Sequence, residues 1–285
     1  MARKDGRDAS GDAAAREAAR IAVELTEEGE FRGSGGPRDA GGPEAAGGPG
    51  PGRPGRAGRL RAVADRVAST AMSATTAARH GAGSAGRGVS SGLGWLTGQV
   101  VAMGPRLKIR DQATLRARFP GQTDDQIAQR LVHNAARAAA AVGGATGAWA
   151  ALPALPAFPA EIAAETLAVV GIEVKLVAEL HEVYGMAAPG GPAERARAYV
   201  GSWAARRGVY QVDGGLLLIA GSPLARQLTR RVAARVRRST FSLAPLFTGA
   251  LAGAVLNRRE TRKLGLQMRD QLRQRRHTVS ATVIS

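Results

Sequence analysis

Histidines and carboxylates that lie close together on one helix can hold a catalytic metal ion. His181 and Glu182 begin a zincin-like HExxH pattern, but its fifth position is Gly185 rather than a second histidine. One histidine and one glutamate fall short of the roughly three protein ligands that a catalytic zinc needs. We therefore expect no metal centre here, and no cofactor.

Residues 159–185 form an acidic stretch in a basic chain and hold five glutamates: Glu161, Glu165, Glu173, Glu179 and Glu182. Carboxylate-bridged di-metal bundles use Glu-x-x-His pairs, and neither His133 nor His181 lies three residues after a glutamate. The glutamates are therefore predicted either to form a polar face or to pair with surplus arginines. If this segment entered lipid, Glu165 and Glu173 would be expected to face the bundle interior.

Motifs for nucleotide binding and nucleophilic catalysis are missing from the sequence. The chain has no cysteine, no GxxxxGK[ST] and no GxSxG. The GAGSAG at residues 81–86 matches GxGxxG in its letters, but it lies in a low-complexity run between predicted helices rather than after a strand. We therefore expect a protein that is not an enzyme.

The positive charge is concentrated toward the C-terminal end. The chain carries a net charge of +17, and residues 226–276 hold 14 basic and two acidic side chains. Such a surplus indicates an anionic partner, either a lipid surface, where each basic residue contributes about 1 kcal/mol, or the phosphates of a nucleic acid. Few aromatic residues are available for base stacking, which favours lipid. The predicted anion-binding residues are Arg230, Arg231, Arg235, Arg237, Arg238, Arg258 and Arg259.

Three long intervals contain no charged side chain, namely residues 88–105, 138–160 and 239–257. Spanning a bilayer takes about 20 apolar residues, but these intervals are rich in alanine and glycine, so their drive into lipid is weak. Small residues four apart allow helices to approach closely. The predicted packing pairs are Gly143 with Gly147 and Gly249 with Gly253. Partial insertion into a membrane and tight packing within a bundle both remain open.

Helical periodicity dominates the elements that would carry these residues. A capping box at Thr123–Gln126 predicts a helix start, and Pro153, Pro156 and Pro159 predict a break between two helices. Further helices are expected over residues 59–78, 160–184, 192–208, 224–238 and 245–276. No run alternates like a strand, so we predict an all-α helical bundle with close-packed Gly/Ala-rich helices and a proline-broken hairpin.

Residues 143–185 resemble the central segment of the EcsC family, with a glycine-rich turn, a proline-bearing connection, a long apolar helix and the pair Tyr184–Gly185. The stretch from Pro245 through Gly253 to Asn257 is similar to the family's C-terminal pattern, although Leu246–Phe247–Thr248 depart from it. The resemblance implies a membrane-associated helical protein without an established activity, in a family named after a gene that neighbours an ABC transporter. It implies no catalytic residues.

The expected organisation has three parts. Residues 1–58, rich in glycine and proline, are predicted to be a disordered tail in which residues 13–25 have the spacing of a short, marginal helix. Residues 59–278 would form the EcsC-like domain, and residues 279–285 a flexible end. No apolar stretch follows the charged start, so we expect no secretory signal and a place at the cytoplasmic face of the membrane.

The functional expectation is a non-enzymatic protein that binds anionic membrane surfaces, is partly inserted or peripheral, and is linked to a transport system. Other membrane proteins are further candidate partners. Two alternatives stay open: a basic nucleic-acid-binding protein, and a soluble helical module that binds another protein.

Overall fold

The computed structural model describes residues 16–27, 98–149, 158–212, 215–218 and 247–284, together with residues 222, 226 and 230. Within these residues the chain is helical except for one short hairpin, so the predicted all-α class is confirmed. The helix predicted over residues 59–78 and most of the helix predicted over 224–238 lie outside the described residues.

Three helical segments are described in the N-terminal half before residue 124. Helix α1 covers residues 16–27, and α2 covers residues 98–103 and continues into a 3-10 turn, Gly104–Arg106. Helix α3, Gln112–Arg118, begins after Asp111, whose carboxylate accepts a hydrogen bond from the Thr114 backbone N–H at 2.8 Å. This N-cap satisfies one of the backbone donors that every helix start leaves without an intrahelical partner.

Two long helices flank the proline-rich connection. Helix α4, Asp124–Trp149, begins at the predicted capping box: the Thr123 N–H donates to the Gln126 side chain at 2.8 Å, and the Gln126 N–H donates to the Thr123 hydroxyl at 3.3 Å. Helix α5 follows as Phe158–Val183 and packs against α4. Pro159 lies in the first turn of α5, where a proline is tolerated, and Pro153 and Pro156 lie outside the described residues.

Helix α6, Pro192–Arg207, ends at Gly208, which adopts the left-handed conformation (φ 65°) that favours glycine. A two-stranded antiparallel hairpin follows, made of β1, Val209–Val212, and β2, Gly215–Leu218. No strand was predicted here. The missed signal is Asp213–Gly214, since an Asp-Gly pair between apolar runs is typical of a two-residue hairpin loop.

The last helix, α7, is the longest in the described part of the chain, Phe247–Ile284. It includes residues 279–284, since no glycine or proline follows Gly265 to end the helix earlier. The flexibility expected from residue 279 onward stays a prediction.

Helix α5 lies at the centre of the bundle and contacts α3, α4, α6 and α7. Helix α1 also packs on it, with Ala18, Ala19, Ile21 and Ala22 all buried. A Cβ atom built on Gly171 of α5 would lie 3.0 Å from the Ala22 Cβ atom, so the two helices touch there. Residues 16–27, placed in the predicted tail, are therefore a packed part of the core, because their small and apolar residues share one helical face.

Candidate functional site

The charged side chains of α5 from Glu165 to Glu182 are buried, and their described partners come from other helices or segments, apart from the Lys175–Glu179 pair within α5. Glu173 is 2% exposed and accepts hydrogen bonds from Trp203 Nε1 at 2.9 Å and Thr261 Oγ1 at 2.9 Å. Arg207, 3% exposed, binds the same carboxylate through Nε at 3.0 Å and through Nη2. A two-pronged pair of this kind fixes both partners in position, and it ties α5 to α6 and α7.

A second buried group surrounds Glu179. Arg110 donates from Nε and Nη2 to the two carboxylate oxygens, each at 2.8 Å, and Lys175 pairs with the same carboxylate one turn away. The Lys175 ammonium also donates to the Lys108 carbonyl at 2.8 Å. Burial alone would raise the pKa of Glu179, but the hydrogen bonds from Arg110 and the charge of Lys175 outweigh it, so the pKa is lowered.

Glu165 and Glu182 of α5 are likewise bound by side chains from other helices. The Tyr199 hydroxyl donates to Glu182 at 2.6 Å, and Arg195 pairs with that carboxylate. Asn257 of α7 donates from Nδ2 to Glu165 at 2.9 Å. Of the two interpretations left open by the sequence, internal pairing with arginines and amides describes these contacts, whereas a solvated polar face does not.

These contacts leave no metal centre in the described part of the chain, where no group of three or more candidate ligands lies together. His181 Nδ1 lies 2.7 Å from the Val177 carbonyl oxygen, and burial lowers the pKa of its imidazole. The neighbouring Glu182 is occupied by Tyr199 and Arg195. The α5 network therefore holds the surrounding helices in position.

A basic groove of about 470 Å³ lies at the surface between α4 and α7. Positive charge comes from Arg130 and Arg137 of α4 and Arg262 of α7, the imidazole of His133 lies among them, and no carboxylate stands among the described lining residues. Four amides and three apolar residues complete the lining: Gln122, Gln126, Gln129, Asn134, Phe119, Val132 and Leu266. The groove combines an apolar floor with positive charge and hydrogen-bonding side chains.

The pKa of the His133 imidazole reflects the positive charge around this groove. Partial burial lowers the pKa of its imidazole, and the positive charges of Arg137, Arg258 and Arg262 lower it further. Arg258 therefore belongs to the same basic surface, although it does not line the groove. Because the cations come from two helices that lie side by side, their charges add over a small area.

Beside this surface, two large apolar side chains are exposed among the described side chains of α7. Leu251 is 66% exposed and Val255 is 63% exposed. Arg258 and Arg262 follow at spacings of three and four residues, so the four side chains share one face and form a stripe along α7, which we call the outer stripe. The apolar part and the basic part of the outer stripe are next to each other.

The structure brings together only some of the predicted anion-binding residues. Arg258 and Arg259 are exposed on α7, and Arg230 is exposed and helical. Arg231, Arg235, Arg237 and Arg238 lie outside the described residues. Sequence reasoning missed the contribution of α4, where residues 130, 133 and 137 share one face and could have been read as a cationic stripe.

Gly143 of α4 and Gly253 of α7 face each other. A Cβ atom built on Gly253 would lie 2.5 Å from the Gly143 carbonyl oxygen, and a Cβ atom on Gly143 would meet the Gly253 carbonyl oxygen. Only glycine allows this approach, which brings α7 against α4 next to the groove. Gly147 and Gly249 lie in the same helices, but their surroundings fall outside the described part.

No helix in the described part of the chain has the length and apolar character needed to cross a bilayer. Compared with known proteins, the chain matches no family model, no curated protein and no solved structure. The resemblance to the EcsC family therefore stays a prediction.

Proposed function

We propose that this chain is a non-enzymatic protein that associates with anionic membrane surfaces at their cytoplasmic face, as its EcsC-like segments imply, and serves there alongside a transport system. The observation that carries the proposal is the outer stripe, in which Leu251 and Val255 stand exposed directly beside Arg258 and Arg262. An apolar patch next to arginines on one helix face matches what an anionic bilayer interface binds.

The expected binding is peripheral and reversible. Arg258, Arg259 and Arg262 together contribute roughly 3 kcal/mol near an anionic leaflet. Burying Leu251 and Val255 at the boundary between headgroups and acyl chains adds about 2–4 kcal/mol, since each side chain is already one third covered. Neither contribution alone holds a protein on a membrane, and the charge contribution weakens with salt. The same charges attract DNA phosphates, but the exposed leucine and valine would contribute nothing to binding the DNA backbone.

Co-sedimentation with vesicles tests the proposal. The protein is expected to bind vesicles containing phosphatidylglycerol, to bind phosphatidylcholine vesicles weakly, and to be released by high salt. The double variant Leu251→Ser/Val255→Ser should lose most of this binding, whereas Val101→Ser should not, since Val101 is an exposed apolar residue outside the outer stripe. Equal binding by the double variant and the wild type, or no binding to acidic vesicles, would contradict the proposal. A DNA gel shift at low salt without vesicle binding would favour the nucleic-acid alternative.

A further inference from the structure

We propose that the membrane-binding surface extends from the outer stripe of α7 onto α4, where Arg137 contacts the anionic headgroups and His133 takes up a proton when the protein binds. The inference rests on the proposed membrane association. It adds a second helix to the contact surface and makes the strength of attachment depend on pH.

Helices α4 and α7 lie side by side in opposite directions. A Cβ atom built on Gly253 would lie 2.5 Å from the Gly143 carbonyl oxygen, and one built on Gly265 would lie 2.8 Å from Val132 Cγ2. Residue numbers therefore rise along α7 as they fall along the facing part of α4. The two helices stay together over about 18 Å between these contacts, so a surface that meets the outer stripe runs alongside α4 as well.

The basic and uncharged parts of the two helices coincide. In α4, Arg137 is followed by residues 138–149, which hold no charged side chain. In α7 the order is reversed, since residues 247–257 hold no charged side chain and precede Arg258 and Arg262. Because the helices are antiparallel, the two uncharged parts lie together and the two basic parts lie together. An anionic bilayer offers the same two environments next to each other, acyl chains and charged headgroups.

His133 lies in the basic part of this pair. Its side chain is exposed on α4, one turn from the exposed Arg137. The segment between α3 and α4 contributes the uncharged Gln122 to the groove beside it. The charged groups around the imidazole are those of Arg130 and Arg137 on α4 and of Arg258 and Arg262 on α7. Partial burial and the repulsion from Arg137, Arg258 and Arg262 hold the pKa of His133 below its ordinary value of 6.5, so the imidazole is neutral at neutral pH in the free protein.

An anionic surface changes this balance. Negative headgroups beside the arginines offset their repulsion of a charged imidazole, so the pKa of His133 is higher in the bound protein than in the free protein. By linkage, a group that takes up a proton on binding makes binding tighter as the pH falls. The gain is absent above the pKa of the bound protein and complete below the pKa of the free protein.

Co-sedimentation with phosphatidylglycerol vesicles at about pH 7.5 and about pH 5.5, at constant ionic strength, tests the proton uptake. The wild type should bind about fivefold more tightly at the lower pH, the gain expected for one added cation near an anionic leaflet. His133→Gln should lose this gain, and His133→Arg should bind at both pH values as tightly as the wild type does at the lower one. His277→Gln should keep the gain as the matched control, since His277 is exposed on α7 about 22 Å beyond Arg262.

Arg137→Gln tests the contact made by α4. At the higher pH it should weaken vesicle binding about fivefold, because one cation is removed from the contact surface. Arg197→Gln is the matched control and should leave binding unchanged, since Arg197 is an exposed arginine on α6. The side chains replaced in these variants are all exposed, and far-UV circular dichroism checks that each variant is folded.

The outcomes separate this inference from the proposed function. No binding of the wild type to acidic vesicles at either pH would overturn both. If Leu251→Ser/Val255→Ser loses binding as proposed, equal binding by Arg137→Gln and Arg197→Gln would overturn this inference alone and confine the contact to α7. A pH gain that persists in His133→Gln would likewise overturn the proton uptake while leaving the membrane proposal intact.

Discussion

Replacing Gly253 by alanine should destabilise the protein, although alanine is the better helix former. The new Cβ atom would lie 2.5 Å from the Gly143 carbonyl oxygen and 3.2 Å from its carbonyl carbon. Ordinary van der Waals contact begins at 3.4 Å, so the axes of α4 and α7 would have to separate by about 0.9 Å at this point, or the helices would have to rotate. Both partners are backbone atoms, which cannot swing away as the end of a flexible side chain does.

Two opposing contributions set the expected magnitude. Alanine gains about 1 kcal/mol over glycine inside a helix, whereas forcing an extra methyl group into a packed interface costs typically about 1–3 kcal/mol and occasionally more. Separating the helices also stretches the hydrogen bond between Asn257 and Glu165, which lies one turn further along α7. We expect a net loss of about 1–2 kcal/mol in the free energy of unfolding.

Urea unfolding followed by far-UV circular dichroism measures this change. Gly98→Ala is the matched control, because a Cβ atom built on Gly98 has no other atom within 4 Å. This substitution should stabilise α2 by up to about 1 kcal/mol. Gly143→Ala should destabilise as well, since its Cβ atom meets Asn257 Nδ2 at 2.6 Å. The double variant should cost less than the sum, because the first methyl group has already parted the helices. A Gly253→Ala protein as stable as Gly98→Ala would refute the close approach.

Three further changes test the core around α5. Glu173→Gln should lower the free energy of unfolding by about 3 kcal/mol in urea titrations, because it leaves the buried Arg207 charge with only the more distant carboxylate of Glu260, 3.6 Å from its Nη1 atom. The pKa of Glu179 is lowered in the folded protein, so its ionised carboxylate stabilises the fold at pH values above the ordinary pKa near 4.3. This stabilisation is lost as the pH falls through the lowered pKa. In Glu179→Gln, the melting temperature should therefore fall less steeply with decreasing pH than in the wild type. Ile21→Ala should cost about 2–5 kcal/mol if α1 is part of the cooperative core, and an unchanged urea midpoint would place α1 outside it.

Local signals in the sequence predicted most of the helices. The Thr123–Gln126 capping box marks the start of α4, Gly208 follows the last residue of α6, and Pro159 lies in the first turn of α5. These signals act over three or four residues, so the sequence alone contains them. The hairpin was missed because its strands are only four residues long, and a run as short as GLLL does not distinguish a strand from a helix segment.

The partners of the α5 glutamates could not be predicted, because they depend on contacts between distant parts of the chain. Arg110 lies 69 residues before Glu179, and Arg207 lies 34 residues after Glu173. Spacings of eight, six and three residues direct Glu165, Glu173, Glu179 and Glu182 to different sides of α5. A helix with charges on several sides has no polar face, and this spacing indicates a helix enclosed by partners.

The groove could not be predicted from the sequence for the same reason. On α4 alone, Arg130, His133 and Arg137 have the spacing of a solvated helix face, and on α7 alone the same holds for Arg258 and Arg262. They form one basic surface only because α7 packs beside α4, more than a hundred residues later in the chain. The predicted glycine pairs indicated that helices would approach closely at these residues. They did not indicate which glycine of α4 would lie against which glycine of α7.

The inner side of α7 explains how the outer stripe comes to face outward. Every fourth residue from Gly253 makes a specific contact: Gly253 with Gly143, Asn257 with Glu165, Thr261 with Glu173, and Gly265 with Val132 and Leu176, where a Cβ atom would lie 2.8 and 3.0 Å away. These contacts extend over about 18 Å of helix and combine close approach with directional hydrogen bonds. A rotation of α7 by one residue would break all four at once. These four contacts together therefore determine which side of α7 is exposed, and through it the position of Arg258 and Arg262 beside the groove.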